Sequence, residues 1–255
     1  MEWFEKEDFW INYAPVMFDD AHWVEAPAVA EAVKKIANLK DGDSLLDAGC
    51  GIGRVSVEFA ALGLNVTGVD LIQAELDAAA ESASDEGVHI NFIKADLRKW
   101  NRPQSFNCVV NLYTSFGYCD TTEEDFAYLK NMCDSVKKDG TFIFEGTTRE
   151  IAAMYFTEGE EFERGGYKVV TDFSVEGDWE GLRSHWMLYP SGTNLKKNPD
   201  VKPVVDHCFV QRLYPATFLR DKILELGFSD VKIYGSFNLT PYNQTAATCV
   251  IVAKK

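Results

Sequence analysis

Apolar and polar positions switch between two periods along most of the chain. Pro27 opens a helical pattern with Val29, Ala32, Val33 and Ile36 at i, i+3, i+4 and i+7. Ser44–Ala48 is a short apolar run and predicts a strand. Residues 53–62 return to helical spacing, with Val55, Phe59 and Leu62 on one face and Gly63 as the stop. A second strand is predicted over 65–69, and the Ala- and Glu-rich stretch 72–84 predicts a helix. Over 89–94, Ile90 and Phe92 alternate with His89 and Asn91 to give a third strand. Residues 106–112 are apolar nearly throughout, as a strand covered on both faces should be. Thr121 and Glu124 have capping-box spacing and start a helix carrying Phe126, Leu129, Met132 and Val136. Asp139-Gly140 then predicts a turn, and 141–145 a fifth strand.

Regular alternation of strand and helix implies right-handed crossovers and a parallel sheet covered on both faces. Near the end, 216–226 predicts a helix stopped by Gly227, followed by strands over 231–234 and 247–253. The turn-rich stretch 235–245 between them has no room for a crossover helix, so this pair is expected to be antiparallel. Residues 158–213 break the rhythm. Strand-length runs at 167–173, 182–188 and 204–213 are separated by turn residues, which predicts an antiparallel sheet. The reading is therefore an α/β core over 1–157 and 214–255, with a β-rich cap inserted over 158–213 above the carboxyl edge of the sheet, where open α/β folds bind ligands. Trp179, Trp186, Tyr189 and Tyr214 are expected to build the cap's own small core. The first twenty residues carry Trp3, Phe4, Phe9, Trp10, Tyr13 and Phe18, too many rings for a solvated tail, and form an aromatic arm that docks on the domain.

The bulk properties narrow the partners. A chain of 255 residues is long enough for a substantial core. Its formal net charge of −15 repels phosphate backbones, so no nucleic-acid partner is expected. No apolar run approaches the roughly 18 residues of a spanning helix, and the acidic start lacks the order of a signal peptide. No membrane association and a cytoplasmic location are expected. The six cysteines form no CxxC pair and the four histidines no HxxxH spacing, so unpaired thiols and no metal site are expected.

Candidate chemistry lies where predicted strands end. Leu45-Leu46-Asp47-Ala48-Gly49-Cys50-Gly51-Ile52-Gly53-Arg54 runs from strand through a glycine loop into a helix, where the backbone can approach a ligand closely. The spacing is GxGxG. A dinucleotide GxGxxG would need glycine where Arg54 stands. Asp47 before the loop would repel a pyrophosphate but could accept from a ligand ammonium. Asp70 ends the second strand, where a carboxylate can take both hydroxyls of a ribose. Asp96 ends the third, placed to receive an adenine amino group while Leu97 packs on the ring. Asn111, Leu112 and Tyr113 end the fourth.

At these residues the sequence resembles the class I S-adenosylmethionine-dependent methyltransferase family, through Asp47–Gly53, Asp70, Asp96-Leu97, Asn111–Tyr118 and Lys137–Phe144. The resemblance implies a seven-stranded, mostly parallel Rossmann-like sheet with helices on both faces and the last strand antiparallel. It implies S-adenosyl-L-methionine as cofactor, with Asp47, Gly49, Cys50 and Gly51 at its methionine part, Asp70 and Leu71 at the ribose, Asp96 and Leu97 at the adenine, and Asn111 and Leu112 beneath the sulfonium. More narrowly the chain is similar to small-molecule methyltransferases with an aromatic arm and a β-rich cap, such as sugar N-methyltransferases, where an arm aromatic closes over the cofactor; Trp10 and Tyr13 are the candidates here. It lacks the Asn-Pro-Pro-Tyr tetrad of enzymes that methylate base or amide nitrogens, having Asn-Leu-Tyr-Thr instead. The expected reaction is direct SN2 transfer of a methyl group to nitrogen or oxygen of a small molecule, by a monomer or homodimer. Tyr113, His185 and His207 are the candidates for a general base. Two other readings stay open: a non-catalytic module that binds the cofactor, and an NAD(P)-dependent oxidoreductase.

Overall fold

The computed structural model describes residues 3–17, 20–113 and 115–255, so Phe18 and Thr114 of the sequence reading lie outside the described residues. The first five strands are β1 (Ser44–Ala48), β2 (Asn65–Asp70), β3 (Asn91–Lys94), β4 (Phe106–Asn111) and β5 (Val136–Gly146). Helices α1 (Glu7–Met17) and α2 (Asp20–Ala37) precede them, and α3 (Arg54–Ala61), α4 (Gln73–Asp85) and α5 (Thr122–Ser135) connect them. After a short α6 (Arg149–Met154) come β6 (Gly159–Arg164), β7 (Tyr167–Glu176), β8 (Gly181–Pro190) and β9 (Val205–Arg212). The chain closes with α7 (Ala216–Glu225), β10 (Asp230–Tyr234) and β11 (Cys249–Lys254).

Seven strands make one sheet in the order β3-β2-β1-β4-β5-β11-β10, parallel except for β11. Their side chains alternate between two buried faces. Leu46, Val109, Phe142 and Ile251 pack with Leu129 and Met132 of α5 and Leu219 and Ile223 of α7. Leu45, Cys108, Ile143 and Val250 pack on the other face with Ala30 and Val33 of α2 and Phe59 of α3. This is why the strands are apolar runs without alternation. Each Leu or Ile buried completely in these layers contributes about 1.5–3 kcal/mol.

The order reverses between β1 and β4. From β1 the chain winds outward to β2 and β3, and from β4 outward to β5. The crossovers leave a crevice at the carboxyl ends of these two strands, the place where open α/β sheets bind ligands.

The second sheet is antiparallel and has the order β6-β7-β8-β9. Its inner face carries Val169, Leu188, Trp186 and Phe209 and packs on Phe9, Tyr13 and Val16 of α1. Trp3 stacks on Phe209 with ring centroids 4.5 Å apart. The sheet is fastened to the core through Asp125 of α5, which is fully buried and accepts from the Cys119 N–H at 3.2 Å, the Tyr214 hydroxyl at 2.9 Å and the Arg212 guanidinium.

Some local expectations are corrected. Proline does not open α2, because the helix begins at Asp20 and carries Pro27 in its interior. The buried stripe, Ala26, Ala30, Val33 and Ala37, runs continuously past it, and packing of that stripe outweighs the lost hydrogen bond. Val136 starts β5 instead of ending α5, and Asp139-Gly140 is absorbed into that long strand, with Asp139 at φ 65° and a register shift against β4. The second sheet gains a strand, β6, which the sequence pattern did not show because its charged residues 160, 161, 163 and 164 hide a single apolar Phe162. The aromatics expected to form a separate core there do not: Trp186 packs on α1, Tyr214 joins the main core, and Trp179 meets Phe156.

Candidate functional site

The strand ends are assembled by backbone contacts. Gly49 and Cys50 donate their N–H groups to Val69 O at 2.8 and 3.1 Å, which straps the glycine loop to β2. Gly49, Gly51 and Gly53 all have positive φ (79°, 51° and 74°), a region that favours glycine. A Cβ on Gly49 would lie 2.9 Å from Ser115 Oγ, and one on Gly53 2.7 Å from Ala79 Cβ. At these two positions the backbone passes through space that a side chain could not share.

Carboxyl groups follow along the sheet edge. Asp47 is buried and accepts from Ser56 Oγ at 2.6 Å. Burial pushes its carboxyl up to about 6, with the Ser56 bond opposing the rise. Asp70 accepts from Gly51 N–H at 2.9 Å through Oδ2 and from Ile72 N–H at 3.0 Å through Oδ1. Burial raises it too, and those backbone donors hold the rise back. Each oxygen keeps a lone pair for a further donor. Asp96 is gripped by Arg98, whose Nε reaches both oxygens at 2.9 and 3.1 Å and whose Nη2 reaches Glu5 at 2.9 Å. This clamp holds the start of the arm over the end of β3.

Tyr113 follows β4 at φ 55°, a conformation costing a non-glycine residue about 1–2 kcal/mol. Its N–H donates to Glu145 Oε2 at 2.9 Å, which compensates part of that cost. The Arg54 guanidinium lies 4.2 Å from the centre of the Tyr113 ring and 3.5 Å from Glu25. Burial pushes the phenol up to about 12.

These groups surround a cavity of about 480 Å³. The structure brings Trp10, Asp47, Gly49, Cys50, Gly51, Asp70, Leu71, Asp96, Leu97, Leu112 and Tyr113 of the sequence-predicted set to its wall. Trp3, Phe4, Trp186, Phe209 and Arg164 close it from the arm and the second sheet. Four predicted residues stand elsewhere. Asn111 is fully buried beneath the wall, donating to Ala48 O at 2.7 Å and to Tyr128 Oη at 3.2 Å. Tyr13 is buried between the arm and the second sheet, its hydroxyl donating to Trp186 O at 2.7 Å. His207 lies on the inner face of that sheet with its ring 4.7 Å from Phe9, and burial lowers its pKa. His185 sits on the opposite face from its neighbour Trp186, with Nε2 2.6 Å from Asp206 Oδ1.

Sequence reasoning did not find Arg98, Glu75 or Glu145. Glu145 could have been found, since it closes the expected fifth strand, 141–145, which lies beside β4. So could Glu75, an acid on the apolar stripe of α4 next to Leu76 and Ala79.

A methyltransferase domain model matches residues 45–140. A methyltransferase-named protein of Geobacillus sp. (strain WCH70) is 32% identical over 221 residues, covering 83% of this chain and 84% of that one. This chain belongs to the S-adenosylmethionine-dependent methyltransferases. Another methyltransferase, the dTDP-3-amino-3,4,6-trideoxy-alpha-D-glucopyranose N,N-dimethyltransferase of Streptomyces venezuelae, is 26% identical over 210 residues, or 80% of this chain and 85% of that one. Against the ubiquinone biosynthesis O-methyltransferase of Rickettsia conorii the match is 26% over 116 residues, and this chain spans only 39% of that protein's length. The fold is shared with a crystal structure of an S-adenosylmethionine-dependent methyltransferase from Clostridium acetobutylicum, at TM-score 0.75 and 15% identity, covering 97% of both chains. The Rossmann-like sheet, the cofactor and the enzyme class thus agree with the sequence reading. Among the described residues no helix is long and apolar enough to cross a membrane.

Proposed function

We propose that this methyltransferase moves a methyl group directly to a nitrogen or oxygen atom of a small molecule held between the carboxyl edge of the main sheet and the second sheet. What carries this reading is the composition of the cavity wall. One side is the glycine loop and strand-end carboxyls; the other is aromatic residues of the arm and of β8 and β9. On this reading residues 158–213 act as the acceptor's cap, 1–20 as an arm, and the remainder as the cofactor-binding core.

The residues fit S-adenosylmethionine. Gly49, Cys50 and Gly51 bring the loop backbone to the cavity wall, with Gly49 and Gly51 in a left-handed conformation that favours glycine, and Asp70 keeps acceptor capacity in spite of the backbone donors from Gly51 and Ile72. Asp96, Asp70 and Asp47 stand just after β3, at the end of β2 and near the end of β1, and β4 comes next, so the series spans three strand spacings, or about 14 Å. We assign the adenine to Asp96 and Leu97, the ribose to Asp70 and Leu71, and the methionine part to Asp47, Gly49, Cys50 and Gly51. Leu112 lies under the reacting centre, and Asn111 fixes that floor from below. Trp10 closes the cofactor side, and Tyr13 holds the arm to the cap. When bound, the cofactor supplies a methyl group on a sulfonium, an electrophile that needs no covalent enzyme intermediate. The protein then has to align the acceptor and exclude water.

Tyr113 is the general-base candidate that reaches this cavity. Its high pKa keeps the phenol protonated, so it orients the acceptor by hydrogen bonding and does not remove a proton. The likeness to an amino-sugar N,N-dimethyltransferase supports an amine acceptor, which needs no dedicated base. The test is transfer of labelled methyl groups to a panel of amines, amino sugars and phenols. Turnover with one class, reduced at least about tenfold by Tyr113→Phe, is expected. Cofactor binding with no turnover across the panel would favour a binding module instead.

A further inference from the structure

Glu75 is the third residue of α4 and only 6% exposed. It shares the helix's buried stripe with Leu76, Ala79 and Ala83, where an apolar side chain would ordinarily pack. A glutamate at this third position usually reaches back to the N–H of the residue capping the helix. Here that residue is Ile72, and its N–H is donated to Asp70 Oδ1 at 3.0 Å. Glu75 is thereby freed from capping. Its side chain lines the cavity, and its buried Oε1 has no hydrogen-bond partner. A buried carboxyl oxygen without a partner destabilises the ligand-free protein, so its presence points to a ligand that completes it.

We propose that Glu75 is a second carboxyl contact for the ribose diol of the bound cofactor, sharing it with Asp70. This rests on the cofactor assignment above. Asp70 accepts through the lone pairs its backbone donors leave free, and Glu75 meets the diol through Oε1. Burial and the neighbouring Asp70 charge push the Glu75 carboxyl up to about 8, so at neutral pH it carries a proton and can donate as well as accept. A protonated Glu75 beside Asp70 avoids the repulsion that two ionised carboxylates would have on one diol.

The experiment is titration calorimetry of the full chain with S-adenosylhomocysteine and its 2′,3′-dideoxy analogue, with melting of the ligand-free protein alongside. Glu75→Leu should weaken S-adenosylhomocysteine about tenfold, change the dideoxy analogue less than about threefold, and raise the ligand-free melting temperature. Glu75→Gln, which keeps a donor and an acceptor, should stay within about threefold of wild type. Equal losses for the two ligands, or no loss for the leucine variant, would overturn the proposal. Glu75→Met, of similar length, replaces leucine if that variant does not fold. If wild type binds neither ligand, or Asp70→Ala binds as well as wild type, the cofactor assignment itself has failed; if only the Glu75 variants behave like wild type, this inference alone has failed.

Discussion

Replacing Gly49 with alanine separates two contributions that hold the glycine loop in place. The residue has φ 79°, and an L side chain in that region costs about 1–2 kcal/mol. The new Cβ would also lie 2.9 Å from Ser115 Oγ, 3.0 Å from Ser115 Cβ and 3.3 Å from Tyr128 Oη. Crowding of that kind in a packed region adds about 1–3 kcal/mol. The sum, about 2–5 kcal/mol, corresponds to a melting temperature lower by at least roughly 4 °C for a chain of this size. A Ser115→Gly background removes the closest contact but leaves the backbone strain. Gly49→Ala should then cost only the strain and whatever Tyr128 still opposes, and the difference between the two backgrounds should be about 1 kcal/mol or more. Thermal melting and S-adenosylhomocysteine calorimetry on the four proteins of this cycle measure both quantities. A Gly49→Ala protein that melts like wild type and binds as tightly would refute the reasoning, because the loop would not then be left-handed at this residue.

Other outcomes follow from the buried carboxyls. Asp125→Ala should cost roughly 2–4 kcal/mol in denaturant unfolding, less than a fully buried pair would because the Arg212 side chain is 26% exposed; a loss under about 0.5 kcal/mol would show that it does not fasten the second sheet. The ligand-free protein should lose stability as pH rises. Asp47, Asp70 and Glu75 are all raised by burial, Asp47 to about 6 and Glu75 to about 8. The folded chain keeps protons there that the unfolded chain has released, so this stability is complete below about pH 4 and is lost as pH climbs through those values. The lowered carboxyls Asp41, Asp96 and Glu123 lose their contribution at pH below this window. His207, whose pKa burial lowers, acts in the opposite direction across this window, but the three raised carboxyls outnumber it, so melting in ligand-free buffer should occur at a lower temperature at pH 8 than at pH 5.5, and the reverse order would contradict the account.

Much of the main sheet was legible because its strands are buried on both faces and its helices carry one stripe. Leu45 and Leu46 point to opposite cores, so β1 shows as an unbroken apolar run. The strand-end acids were legible for a different reason: Asp47 and Asp70 stand where a periodic run stops and a turn begins. What escaped was set by long-range contacts. The length of α2 depends on its stripe packing through Pro27, and β6 is held by pairing with β7 more than by its own residues. The histidines show the same limit. Both lie on predicted strands, but only pairing register decides that His185 shares a face with Asp206 and His207 with Trp3 and Phe9. Glu75 and Glu145 were visible as letters, but their importance comes from what surrounds them in space.

The most direct measurement is isothermal titration of the ligand-free protein with S-adenosylhomocysteine, with NADH as the control and Asp70→Ala as the variant. The account predicts micromolar binding of S-adenosylhomocysteine, weakened at least about tenfold by the variant, and no heat from NADH. Heat from NADH without binding of S-adenosylhomocysteine, or an unaffected variant, would contradict the placement of the cofactor at the carboxyl ends of β1, β2 and β3.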